Sequence, residues 1–289
     1  MEAAGKIRQL RDIPVIGSGL GFRPAWRAAL LGEKRARPAV DFLEITADHY
    51  LDAPAWKRAE LEQLNERFVL IPHALDLSIG SAEGIDPFYL AKLAELIEEL
   101  DPPYWSEHLA FTKAGGLELG HLAPLPWSHE AVDQVARNAE VVRKVIDRPL
   151  ILENITCELQ MPGSELSEAR FLSEALEAAE CGWLLDITNL HINAVNHGDS
   201  IMEFFEAAPL DRVIQLHYVG FFKSESGRLV DNHGGRVNDE IWGLMKSVFE
   251  RSNPRGAILE RDQNLPVFAE IMREVEYARS LGKESGIWA

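Results

Sequence analysis

The chain has little cysteine. Cys157 and Cys181 are the only two in 289 residues, and neither lies in a CxxC or a zinc-type spacing. A disulfide-stapled scaffold and a thiolate zinc module are therefore excluded. Two buried, reduced thiols are the expectation, with a disulfide left open. Basic residues are also scarce, with 29 Lys and Arg against 46 Asp and Glu and a formal charge of −17. Such a surface repels nucleic acid and anionic membranes, and no Lys/Arg run is long enough to make a basic patch, so neither partner is expected. No window reaches the roughly 18 apolar residues of a membrane span. Met1 to Asp12 is charged and lacks the apolar stretch of a secretory signal, so a cytoplasmic location is expected. A dinucleotide fingerprint is missing too. Gly17-Ser18-Gly19-Leu20-Gly21 lacks the full GxGxxG spacing and runs into Phe22-Arg23-Pro24,. No Ser-His-Asp or Cys-His nucleophile signature is present.

What the chain does have is an ordinary globular composition, 46% hydrophobic and 26% charged, enough to bury a sizeable core. Short apolar runs alternate with longer segments of helical periodicity. The runs are Ile13–Gly19, Val40–Thr46, Phe68–His73, Tyr104–Phe111, Leu150–Thr156, Trp183–Ile187, Val213–Tyr218 and Ala257–Glu260. The helical segments are Pro24–Leu31, Ala53–Glu66, Pro87–Leu100, His129–Ile146, Ser167–Glu180, Asp199–Ala207, Asp239–Arg251 and Pro266–Leu281. Eight strand–helix pairs in strict alternation predict parallel strands and a (β/α)8 TIM barrel. The expectation is one barrel domain over 1–289, with short terminal extensions and long loops after strands four, six and seven. A doubly wound open sheet is the runner-up, weakened by the missing phosphate loop.

The strand endings are the second argument for a barrel. Seven of the eight runs finish in a carboxylate or an imidazole: Glu44, His73, Glu107-His108, Glu153, Asp186, His217 and Glu260. In a barrel these positions converge on one small ring at the C-terminal rim. Helix caps explain one such ending but not seven, and caps do not call for His. Two carboxylates about 4 Å apart repel by about 4 kcal/mol at an effective dielectric of about 20. Cations relieve this, and Asp, Glu and neutral His are the donors that divalent metals take. The donors outnumber the needs of one ion, so a cluster of two or three is expected. Two loops add donors: Asp186 to His191 with Asn196-His197-Gly198, and Asp231-Asn232-His233. In an extended segment Asp231 and His233 point to the same side and can chelate one ion. Alternation puts only one of Glu107 and His108 inward. His49 lies in a rim loop, whereas His121 and His129 read as surface residues.

Taken in order, the runs Ser106-Glu107-His108-Leu109-Ala110-Phe111, Leu152-Glu153-Asn154, Leu185-Asp186-Ile187-Thr188-Asn189, Asn196-His197-Gly198, Leu216-His217-Tyr218-Val219-Gly220, Asp231-Asn232-His233-Gly234 and Leu259-Glu260-Arg261-Asp262 resemble the multinuclear non-haem iron-dependent oxidases. That family includes the methanobactin biosynthesis oxidase and the 3-thiaglutamate pathway enzyme. The resemblance runs from the second strand to the eighth. It implies a TIM barrel with two or three irons, mixed Fe(II)/Fe(III), held by His49, His73, Glu153, Asp186, Asn189, His217, Asp231, His233 and Glu260. The Asn189 position holds His in some relatives, and His191 lies two residues on. The resemblance further implies dioxygen as co-substrate, a Cys-containing precursor peptide of ribosomal origin, and a partner protein that captures its leader. Asp231, His233, Glu107 and His108 are the candidate catalytic groups. Asn154, His191, His197, Arg228, Arg236 and Arg261 are candidates to hold the peptide, the arginines through a carboxylate. The loops Thr112–Trp127 and Val219–Val237 are expected to overhang the rim. The competing function is a divalent-metal barrel isomerase or hydrolase of the sugar-isomerase or phosphoesterase type, whose rim gathers the same donors. A non-catalytic binding barrel would not need so many.

Overall fold

A computed structural model describes residues 9–32 and 39–289. The eight apolar runs become eight parallel strands: β1 (Gly17–Gly21), β2 (Phe42–Thr46), β3 (Val69–His73), β4 (Trp105–His108), β5 (Leu150–Glu153), β6 (Gly182–Asp186), β7 (Val213–Tyr218) and β8 (Gly256–Leu259). They pair in sequence order, and β1 closes on β8. This is a (β/α)8 TIM barrel, with helices between the strands,.

The two-residue repeat of a strand explains what fills it. Phe42, Ile71, Tyr104, Ile151, Leu184 and Ile258 point inward and form one apolar cluster with Ile13 and Ile214. Two residues further along the same strands stand Glu44, His73, Ser106, Glu153, Asp186 and Glu260. The interior is thus apolar below and polar above. Intervening residues such as Leu43, Leu70, Trp105, Leu152, Leu185, Leu216 and Leu259 belong to the larger core that includes the helices. β1 has no polar ending. At Gly19 a Cβ would lie 2.7 Å from both Ile258 and Phe42, so only glycine lets this strand pass the packed interior.

Local signals set the helix starts. Asp86 caps Pro87–Leu100, accepting from the amides of Phe88 and Tyr89. Ser128 caps His129–Arg143, and Ser167 caps Glu168–Ala178,. Three sequence expectations need revision. The run Tyr104–Phe111 divides at Leu109-Ala110, where the Ala110 amide turns back onto the His108 carbonyl at 2.9 Å. Phe111–Ala114 then pairs with Leu117–Ala123 as a separate hairpin. Its turn is Gly115-Gly116, both at positive φ, as a tight hairpin requires. The segment after β6 is a helix, Ile187–His197, capped by Asp186 and ended by Gly198 in the left-handed conformation. The segment after β2 holds a short helix, Asp48–Leu51. After β7, Gly220–Lys223 and Leu229–Gly235 form a second hairpin. Cys157 and Cys181 are both buried and unbridged. No helix among the described residues is long and apolar enough to cross a membrane.

Candidate metal centre

The inward endings of the strands meet at the rim as three groups of donor atoms, each within 4.8 Å of one another. The first is His73, His108 and Glu153. The second is Glu153, Asp186, His217 and Glu260. The third is His233, Glu260 and Asp262. Glu153 belongs to the first two and Glu260 to the last two, so the groups form a chain with two shared carboxylates.

In the first group, Nε2 of His73 lies 3.5 Å and Nε2 of His108 3.7 Å from Oε2 of Glu153. The other nitrogen of His73, Nδ1, is 2.8 Å from the Ser106 hydroxyl. Burial, together with His73 and His217, outweighs Glu153 and Glu260 and lowers the His108 pKa to about 4. At neutral pH its lone pair is free for a metal. In the second group, Nδ1 of His217 lies 3.3 Å from Glu153 Oε1 and 3.2 Å from Glu260 Oε2. Burial pushes the Asp186 carboxyl well up, and Glu153 adds to this. Burial would also raise Glu153, but His217 and His108 hold it below the usual range. In the third group, Nδ1 of His233 is 3.6 Å from Glu260 Oε2 and 3.4 Å from Asp262 Oδ2. Its Nε2 donates to Asp231 at 2.9 Å. Arg23 bonds to Asp262 through Nε at 3.0 Å and lies 3.8 Å from Glu260.

The donor set fits cations on an observation of its own. Oε2 of Glu153, Oδ2 of Asp186 and Oδ1 of Asn189 are buried acceptors without a hydrogen-bond partner. Nδ1 of His108 is unpartnered as well. Glu153 and Asp186 share one donor group, and orphaned acceptors there carry a desolvation cost that a bound cation removes.

Other residues singled out by sequence stand as follows. Asn189 gives its side-chain N–H to the Asn154 carbonyl at 3.1 Å, and its Oδ1 is buried without a partner. Asn154 itself is committed to the backbone of Asp186 and to the indole of Trp183. His49 is exposed on the Asp48–Leu51 helix and joins none of the three groups. Glu107 has the opposite parity to His108. It is buried outside the three groups, and burial with the nearby Asp48 holds its carboxyl well above the usual range. His191 packs on Phe221, with ring centroids 5.0 Å apart. His197 donates to the Cys157 carbonyl at 2.6 Å. Arg228 pairs with Glu158 at 3.0 Å. Arg236 is exposed, and Arg261 is buried and bound to Glu274 at 3.0 Å.

Sequence reasoning leaves three contributors out of the site, Gln215, Asp262 and Arg23, and names a fourth, Glu44, only as a strand ending. Glu44 has the same parity as the other strand endings and counts among them, but it has no place in the ligand set that the resemblance implies. Gln215, two residues before His217, carries the same signal. Asp262 follows the last ending by two. Arg23 lies two residues beyond the one strand without a polar ending, and nothing in its spacing marks it.

Residues 17–283 match a family described as RiPP precursor modification enzyme MbnB/TglH/ChrH. A UPF0276 protein of Caulobacter vibrioides is 33% identical over 267 residues, covering 92% of this chain and 94% of its own. A UPF0276 protein of Pseudomonas aeruginosa is 35% identical over 272 residues, covering 94% of both. Among solved structures, D-psicose 3-epimerase from Clostridium cellulolyticum H10 superposes with a TM-score of 0.52 at 12% identity, covering 94% of this chain and 100% of that one. At that identity the likeness speaks for the barrel alone. The extent of the family match and the near full-length relatives lead to one conclusion: the chain belongs to the MbnB/TglH/ChrH family of peptide-precursor modification enzymes.

Proposed function

We propose that this protein is an iron- and dioxygen-dependent oxidase that modifies a cysteine residue of a ribosomally synthesised precursor peptide. The observation that carries the reading is the linked donor chain, in which Glu153 and Glu260 each serve two groups. Shared carboxylates are what a two- or three-metal cluster needs, because a carboxylate has two oxygens and can bridge. The mix of imidazole and carboxylate suits iron.

Iron held there, as a mixed Fe(II)/Fe(III) set, supplies one-electron chemistry with dioxygen and an open position for a soft cysteine thiolate. His73, His108 and Glu153 would hold the first ion, and Glu153, Asp186, Asn189, His217 and Glu260 the second. His233, Glu260 and Asp262 would hold the third, with Asp231 fixing the His233 ring. The chain's own part is to place and orient. The Ser106 hydroxyl and the Asp231 carboxylate occupy the far nitrogens of His73 and His233, so each ring turns its other nitrogen to the cluster. The apolar layer beneath excludes water from below. The two hairpins, which follow β4 and β7, supply surface for the peptide. A second protein that binds the leader is part of this reading.

The test is anaerobic loading with ferrous iron, metal analysis, and oxygen uptake with a Cys-containing peptide. Two or more irons per chain, with oxygen consumed and a mass change confined to the cysteine, is the expected result. Tight zinc or magnesium binding with no oxygen uptake would turn the assignment to a metal-dependent isomerase or hydrolase.

A further inference from the structure

We propose that Glu44 is the positioning residue that decides which nitrogen of His217 faces the buried cluster. This rests on the metal-binding reading above and assigns a role to a residue outside the three donor groups.

His217 is fully buried, so neither ring nitrogen can be satisfied by solvent. Its Nε2 lies 2.8 Å from Oε1 and 3.0 Å from Oε2 of Glu44. The side-chain amide of Gln215 sits beside this pair, with Nε2 2.7 Å from Glu44 Oε2 and 3.2 Å from the same His217 nitrogen. The Tyr104 hydroxyl is 2.6 Å from Gln215 Oε1. Proton placement then follows from what each group can do. Glu44 accepts only, so the Gln215 NH2 must face it. Gln215 Oε1 is therefore the end that meets Tyr104, and Tyr104 donates. At His217 Nε2, a proton gives a charge-assisted bond to Glu44. A bare lone pair there could accept from the Gln215 NH2 at 3.2 Å but would face both Glu44 oxygens at 2.8 and 3.0 Å. The first arrangement wins because bonds to an ionised acceptor are roughly twice as strong as neutral ones.

With Nε2–H committed to Glu44, Nδ1 carries the one lone pair a metal can use. Nδ1 is the nitrogen that faces Glu153 and Glu260, at 3.3 and 3.2 Å. Glu44 stands at the opposite edge of the ring and in none of the three groups. It reaches His217 across the barrel interior, since β2 and β7 are not neighbours. Tyr104 belongs to the apolar floor, so the series Tyr104–Gln215–Glu44–His217 ties the metal layer to the rigid base. This is a carboxylate–histidine–metal arrangement in which the carboxylate fixes tautomer and ring angle.

The experiment loads wild type, Glu44→Gln and Glu44→Leu with Co(II). It measures ions per chain, affinity by chelator competition, and the paramagnetically shifted N–H proton signals of bound imidazoles. Gln keeps an acceptor on Nε2, whereas Leu does not. The expected loss in affinity for one ion is about 10-fold for Glu44→Gln and about 100-fold for Glu44→Leu. The remaining ions should stay bound. One imidazole N–H signal, slow to exchange in wild type, should exchange fast in Glu44→Leu. Tyr104→Phe, which removes only the phenol's bond to Gln215, guards against misfolding of the Glu44 variants and should give a smaller change of the same kind. Equal affinity and unchanged exchange in a folded Glu44→Leu would overturn the inference while leaving the metal reading intact. Failure of wild type to bind any ion would overturn both.

Discussion

At the residue scale the shared carboxylates make a quantitative prediction. Glu153 serves two donor groups and His108 one. Glu153→Ala should therefore lower metal content by more ions per chain than His108→Ala, as read by metal analysis on protein whose circular dichroism matches wild type. Asp231→Ala and His233→Ala should each lower metal content and abolish activity; full loading of both would remove that pair from the site. A second residue-scale prediction concerns Glu168. Burial raises its pKa from 4.5 to about 7, against a hydrogen bond from Asn193. A carboxyl raised in the folded state keeps its proton while the unfolded chain loses it, so stability falls as pH rises from 4.5 to about 7,. Urea midpoints should show wild type losing ground to Glu168→Gln across that window. The strand endings were legible because parity and position on a strand are properties of sequence. Glu44 counts among the endings but has no part in the expected ligand set, because which imidazole it meets across the barrel is not written in the spacing. For Glu107 and His108, parity said that one faces inward, and only the register of β4 against β5, which pairs His108 with Glu153, says which.

At the element scale, the hairpin after β7 carries His233 to the rim. Its base is Gly220 paired with Gly235, and a Cβ on Gly220 would lie 1.9 Å from the Arg236 carbonyl oxygen. Backbone cannot give way as a side chain does. Gly220→Ala should cost about 1–3 kcal/mol by urea denaturation, and it should lower occupancy of the His233 position more than that of the first group. The helix His129–Arg143 is tied down in a comparable way. Its buried Asn138 donates to the carbonyls of Ile79 and Ser81 at 2.7 and 2.9 Å. Asn138→Ala takes a donor from both carbonyls, of which Ser81 keeps the Gly84 amide at 3.3 Å, and should cost about 1–3 kcal/mol in the same assay. Helices with long apolar periodicity and a capping residue were readable to within a few residues. The Ile187–His197 helix was not, because its polar donors looked like loop chemistry. Its real start signal is Asp186, which serves both as cap and as member of a donor group.

At the scale of the whole molecule, the barrel was legible because eight alternations leave few other closed solutions, and its eight strands close in sequence order. The electrostatics are a global matter too. Buried carboxylates crowd one end of a chain whose formal charge is −17, so a cation that binds only the folded form must stabilise it. At free metal about 100 times its dissociation constant, one site adds about 2.7 kcal/mol. Thermal unfolding should move up on loading and back down with chelator, and an unchanged midpoint would argue against folded-state binding. The apolar floor described above has its own consequence. A barrel stoppered at one end is a cup and not a tube, so a metal ion, and on the proposed function oxygen and peptide as well, must use a single mouth. On that proposal a seated peptide would also be the lid, and exchange of metal should stall for as long as it stays.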